Sequence, residues 1–146
     1  MQLNAMNHED DKQTLDSDSV TALVHNFYTD VRADPVLAPV FDEAIGAHWP
    51  EHLERMVQFW SAVALGEHGF KGDVFGKHMA LDGVTPEHFT LWLGLWKKHT
   101  EALFHPEIAR ALQYMAHNIA RNLFRGFFGH FPQGNLAADP AAASAG

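Results

Sequence analysis

Cysteine is absent from this sequence, so the chain can form no disulfide bond, no thiolate metal site and no cysteine nucleophile. Tyrosine is scarce as well, with only two residues, whereas histidine occurs eleven times. Histidine is the commonest metal ligand and the side chain that changes charge most readily near neutral pH. The positions of the histidines must therefore decide which of them are functional.

Long apolar runs and excess positive charge are also missing. No segment approaches the roughly 18 consecutive apolar residues of a membrane span, and the start of the chain has no apolar run that could serve as a signal peptide. The 10 basic residues stand against 18 acidic ones, a formal net charge of -8, which argues against a nucleic-acid partner. These absences predict a soluble, cytoplasmic protein with a small-molecule ligand and with neither nucleic acid nor membrane as a partner.

The 146 residues are enough for one domain with a sizeable core. We predict that this domain spans residues 17–129. The polar, acidic segment 1–16 and the Ala-rich segment 130–146 are expected to be flexible flanks, because they offer little apolar surface to bury.

The apolar residues of the domain recur at helical spacing throughout, which predicts an all-α fold. Four long helices are expected, at about 18–33, 50–65, 86–103 and 106–128. Proline stands in the first turn of three of them, where its missing N–H costs nothing. The segment 36–41 is predicted to be a short turn, and a glycine-rich loop is predicted to lead from residue 66 to a short apolar piece at 77–81.

Four side chains could carry chemistry, and each also has an ordinary structural interpretation. His78 lies between apolar residues after the flexible loop, which suits either an axial metal ligand or a buried histidine bonded to the backbone. His52 shares a helix face with Met56, as a pocket residue or as an exposed first-turn histidine. Tyr28 and Trp92 lie in apolar stripes, where they would be either plain core residues or hydrogen-bond donors to a ligand.

Four segments taken together resemble the truncated haemoglobins, and within that family the third group. They are FYTDVRADPVLAPVF at 27–41, HLERMVQFW at 52–60, KHMAL at 77–81 and HFTLWLGLW at 88–96. The isolated glycines between 66 and 76 agree with the third group, since the other two groups usually carry paired glycines. The resemblance covers residues from about 20 to 128.

The resemblance implies a two-over-two arrangement of helices around haem b, iron protoporphyrin IX. It implies His78 as the proximal iron ligand and a distal set consisting of Tyr28, His52 and Trp92. The remaining haem contacts implied are Phe41 against the haem plane and Met56 with Phe59 on the distal side. Arg55 is the first candidate partner of a haem propionate and Lys77 the second.

The implied ligands are the diatomic gases O2, CO and NO. If Tyr28 and Trp92 both donate to a partly negative dioxygen, tight binding is expected, which suits reaction with NO or peroxide-type chemistry better than transport. Such turnover would be NO dioxygenase or peroxidase-like activity with electrons from a reductase.

Other functional classes remain open at this stage. A haem-free helical module that binds a partner or an apolar ligand is the main alternative. A di-iron bundle would need inward carboxylates paired with histidines, and a hydrolase would need a nucleophile motif that the sequence does not contain.

Overall fold

A computed structural model describes residues 12–68, 70 and 72–133. The described chain is helical, apart from an isolated backbone bridge between Gln13 and Phe104. The prediction of an all-α fold is therefore confirmed. The helices, numbered here in chain order, are α1 Ser17–Ala33, α2 Leu37–Ile45, α3 Trp49–Leu65, α4 Val74–Met79, α5 Pro86–Leu103 and α6 Pro106–Phe128, with a 3-10 turn at Gly46–His48 before α3.

Local signals set most helix ends. Asp16 caps α1, because its side chain accepts from the backbone N–H of Ser19 while the Ser19 hydroxyl accepts from the N–H of Asp16. Gly66 and Gly129 end α3 and α6 with positive φ angles of 72° and 82°, a backbone region that glycine enters without a Cβ penalty. The four long helices consequently begin and end within one residue of the predicted bounds.

The prediction of a short turn at 36–41 is wrong, because a helix of nine residues, α2, begins at Leu37. The Asp34 carboxylate accepts from the backbone N–H groups of Val36 and Leu37, at 2.8 and 2.9 Å, and so supplies the missing start signal. Pro39 falls in the first turn, where no intrahelical donor is needed. The short piece predicted at 77–81 likewise begins earlier, at Val74, as helix α4.

Parts of the predicted flanks lie within the described residues and contact the helices. The backbone N–H of Gln13 donates to the carbonyl of Leu103, and the Lys12 ammonium caps the last carbonyls of α5. At the other end, Arg121 and Arg125 lie over the ring of Phe131. Residues 1–11 and 134–146 of the predicted flexible flanks lie outside the described residues.

The long helices form two pairs, α1 with α3 and α5 with α6, and α1 crosses to contact α5. Aromatic side chains fill the space between the pairs. Trp96 is buried at the centre, with its ring stacked on Trp60 at 4.3 Å and its indole N–H bonded to the Leu112 carbonyl. This packing places α3 and α4 on two sides of a space that the core does not fill.

Candidate functional site

A cavity of about 300 Å³ opens between α3 and α4, which lies at the lower end of the usual range for ligand pockets, about 300–1,000 Å³. Its lining comes from all six helices and is mainly apolar. Every site residue predicted from the sequence lines this cavity: Tyr28, Phe41, His52, Arg55, Met56, Phe59, Lys77, His78 and Trp92. The structure thus brings together side chains that are as much as 64 positions apart in the sequence.

His78 is oriented by its own helix. Its Nδ1–H donates to the carbonyl oxygen of Val74, one turn earlier, at 2.7 Å. Because a carbonyl can only accept, this bond assigns the proton to Nδ1 and leaves the Nε2 lone pair free. The turn is held in place by Asp73, whose carboxylate caps α4 by accepting from the N–H of Gly76 at 2.9 Å. A neutral imidazole in this tautomer has the form required of a metal ligand.

His52 carries an unsatisfied polar atom. Its Nε2 is buried and has no hydrogen-bond partner among the described residues. Leaving a buried polar atom unpaired costs about 1–3 kcal/mol, so an atom of this kind inside a cavity points to a ligand that completes it. The pKa of His52 is lowered to about 4, chiefly by burial and to a smaller extent by electrostatic repulsion from nearby His78 and Arg55. The ring is therefore neutral at physiological pH.

The lowered pKa of His52 predicts a stability loss in mild acid. The unfolded chain takes up this proton near the ordinary value of 6.5, whereas the folded chain takes it up only near 4. The unfolded state thus binds more protons in this window, and the free energy of unfolding should fall as pH drops from about 6.5 towards 4. Urea unfolding of the wild type and of His52→Gln at pH 7.5, 6.0 and 5.0 measures this slope.

The variant His52→Gln should lose less stability than the wild type between pH 7.5 and 5.0. His25→Gln is the matched control, because His25 is an exposed histidine on α1. Equal pH slopes for the wild type and His52→Gln would contradict the prediction.

Tyr28 and Trp92 supply two potential donors. Tyr28 is 5 % exposed, and burial raises the pKa of its phenol well above the usual range, so the hydroxyl keeps its proton. Its ring meets the His52 ring edge-on at 5.2 Å. Trp92 lies parallel to Trp96 at 6.3 Å and edge-on to Phe27 at 5.7 Å. Neither the Tyr28 hydroxyl nor the Trp92 indole N–H has an acceptor within the described part of the chain.

Positive charge lies at the rim of the cavity. Arg55 and Lys77 are both exposed while still lining it, and the Arg55 guanidinium lies 5.1 Å from the ring centre of Phe70. Phe70, in the loop between α3 and α4, also lines the cavity. This arrangement suits a ligand with an apolar body and an anionic edge.

Some residues of the site were not predicted from the sequence. Trp49 is the main one: it is 4 % exposed and packs behind His52, Tyr28 and Phe41. Its position three residues before His52, at a spacing that places both on one helix face, was the available signal. A second, smaller cavity of about 70 Å³ adjoins the first and is lined by His88 as well as by His78.

The described helices show neither a membrane span nor a metal cluster. Among the described residues, no helix combines the length and apolarity needed to cross a membrane. Over the same residues, no group of three or more His, Cys, Asp or Glu side chains is arranged to hold a metal ion.

The residues present fit a haem. The cavity wall is largely apolar, His78 offers one free ring nitrogen, and the buried Nε2 of His52 lacks the partner that a ligand in the cavity would supply. The cationic side chains at the rim match the charge of the propionates.

Comparison with known proteins gives a consistent result, although no protein-family model matches the chain. The group 3 truncated hemoglobin ctb of Campylobacter jejuni is 31% identical over 124 residues, which span 81% of this chain and 98% of that protein. The crystal structure of the group III truncated hemoglobin from Campylobacter jejuni superimposes with a TM-score of 0.77 at 28% identity, covering 83% of this chain and 98% of the other.

Proposed function

Because the chain belongs to the group 3 truncated haemoglobins, we propose that it holds haem b through His78 and binds dioxygen tightly in the cavity between α3 and α4. Membership itself implies a haem globin whose ligands are diatomic gases. The observation that carries the proposal is the unpartnered Nε2 of His52, a buried polar atom in a largely apolar cavity that is also lined by His78, whose Nδ1 is bonded to a backbone carbonyl.

Several side chains of the cavity would hold the group. The Nε2 of His78 would bind the iron, and the Val74 carbonyl keeps the imidazole in the tautomer that leaves this nitrogen free. Phe41, Met56 and Phe59 provide apolar contact that excludes water. Arg55 and Lys77 pair with the propionates at the rim. When bound, haem supplies a ferrous iron that takes up a diatomic gas.

The distal side chains select among gases by charge. The protonated hydroxyl of Tyr28 and the indole N–H of Trp92 both donate, and neither has a competing protein acceptor among the described residues. A bound dioxygen would carry partial negative charge that these donors could stabilise, whereas a bound CO would carry little. Hydrogen bonds to charged groups contribute about 1.5–3 kcal/mol each, so the two donors retain dioxygen far better than CO.

Slow release of dioxygen is poorly suited to transport between compartments and well suited to reaction in place. The acceptor at His78 Nδ1 is a neutral carbonyl, which raises the basicity of the imidazole less than a carboxylate would. This partner favours gas binding and reaction with NO over peroxidase-like chemistry. Repeated turnover requires electrons from a separate protein, and a reductase is the class of partner that supplies them.

Haem titration tests the proposal directly. We expect one haem per chain, a sharp Soret band, a histidine-ligated carbonmonoxy spectrum and slow transfer of haem to apomyoglobin. The dioxygen complex mixed with NO should yield nitrate faster than it releases dioxygen. A broad Soret band with rapid haem loss would instead favour the haem-free binding module.

A further inference from the structure

Trp49 contacts the cavity-lining side chains without lining the cavity itself. Its ring meets His52 edge-on at 5.5 Å and an interplanar angle of 88°. It also meets Tyr28 at 5.9 Å and stacks on Phe41 at 6.4 Å and 22°. Trp49 therefore contacts three site residues from three helices, and Tyr28 also contacts Phe41 and His52 directly.

The Trp49 ring is anchored by two charged residues. Its indole N–H donates to the Asp42 carboxylate at 3.1 Å, and the Arg32 guanidinium lies 4.4 Å above the ring. Arg32 comes one turn after Tyr28 on α1, and Asp42 directly follows Phe41 on α2. Arg32 and Asp42 are both exposed. Two surface residues therefore fix the orientation of the buried indole.

His52, in contrast, has little of its own to fix its ring. Its Nε2 has no hydrogen-bond partner in the described chain, and two rings stand nearly perpendicular to the imidazole, Tyr28 at 87° and Trp49 at 88°. If Trp49 were replaced by a residue without a ring, His52 would lose one of these two ring contacts. The imidazole would then be free to swing away from the cavity.

We propose that Trp49 is a positioning residue that holds His52 inside the cavity and so limits how fast a gas ligand enters. The inference rests on the proposed function, since it concerns ligand entry to the same site. Asp42 acts one step further out by fixing the indole that fixes the imidazole. Trp49 itself touches neither the cavity nor a ligand in it.

The test uses the haem-loaded full chain with CO as the probe. Trp49→Leu should raise the CO association rate about fivefold, the size expected from losing one aromatic contact, and should split a single CO stretching band in the infrared spectrum into two. Trp49→Phe keeps a ring against His52 and should stay within about twofold of the wild type in rate, with one band.

Double-mutant cycles establish whether Trp49 acts through His52. In a His52→Ala background, adding Trp49→Leu should change the CO association rate less than about twofold, because the group it positions is gone. In a Tyr28→Phe background the effect of Trp49→Leu should persist. A full effect in the His52→Ala background would overturn the proposal.

If Trp49→Leu does not fold, two variants on α2 that leave the Trp49 ring in place test the same proposal. Asp42→Ala releases the indole N–H and should produce the second CO band, whereas Glu43→Ala, at the adjacent exposed carboxylate of α2, should leave one band. Identical infrared spectra for Asp42→Ala, Glu43→Ala and the wild type would also overturn the proposal. Failure of the proposed function is distinguishable, because the wild type would then give no histidine-ligated CO complex.

Discussion

Replacing His78 by glycine should abolish the histidine-ligated ferrous and carbonmonoxy spectra of the haem-loaded chain. The Nδ1 of His78 donates to the Val74 carbonyl and its Nε2 is left free, so the imidazole is in a neutral form that can bind iron. The glycine variant leaves a hole of the same shape. Imidazole added from solution should therefore enter that hole and restore the spectrum, as measured by absorption and by resonance Raman detection of the iron–imidazole vibration.

His88→Gln is the matched control for this experiment. His88 lines the smaller adjoining cavity, and its Nδ1 accepts from the backbone N–H of Thr85 at the start of α5. The control should retain the wild-type spectrum without added imidazole. A His78→Gly variant that kept the wild-type ferrous spectrum, or ignored imidazole, would show that the axial ligand had been assigned to the wrong residue.

Replacing Tyr28 by phenylalanine should raise the dioxygen dissociation rate by about 10- to 100-fold, the range that corresponds to losing a hydrogen bond of about 1.5–3 kcal/mol. The phenol is kept protonated by burial and has no protein acceptor in the described chain, so its donor capacity is available to the ligand. The CO dissociation rate should change less than about threefold, because CO gains little charge. Stopped-flow displacement of each gas measures both rates.

Trp92→Phe should also raise the dioxygen dissociation rate, while it keeps an aromatic ring beside Trp96. The double variant should release dioxygen faster than either single variant if both donors reach the ligand. Tyr114→Phe provides a matched control, because Tyr114 is the other tyrosine of the chain and is 69% exposed on α6. An unchanged dioxygen off-rate in Tyr28→Phe would remove the basis for tight binding.

The lowered pKa of His52 affects what is expected of the dioxygen and CO measurements. Its ring is neutral at physiological pH because its pKa is lowered to about 4, so it does not place a positive charge beside the ligand. Discrimination between dioxygen and CO is therefore expected to depend on Tyr28 and Trp92, while His52 is proposed to limit ligand entry. If the roles of these side chains are separate in this way, His52→Ala should change the association rates of the gases more than their dissociation rates.

The helix bounds could be predicted because their signals are local. Pro86 and Pro106 each stand at the first residue of a helix, and Gly66 and Gly129 each stand just after the last one. Helix α2 escaped prediction because its start depends on the side chain of Asp34 folding back onto two backbone N–H groups. In the sequence, an aspartate followed by a proline, as at Asp34 and Pro35, is equally typical of a turn.

The candidate site was predicted only in part, for a different reason. His78, His52, Tyr28 and Trp92 each have an ordinary structural interpretation when taken singly, and the joint resemblance of four segments was needed to select them. No local pattern indicates that Trp49 packs against Tyr28 and Phe41 as well as His52, since those contacts join three helices.

The sequence by itself determined the helical class and most helix ends, because propensity, capping and periodicity act over a few residues; the candidate site residues came from the resemblance of four segments to a known family. Only the tertiary structure decided that α3 and α4 leave a cavity between them, that the Val74 carbonyl selects the tautomer of His78, and that the Nε2 of His52 is buried without a partner. These features depend on how distant helices pack, and burial and hydrogen bonding become defined only once that packing exists.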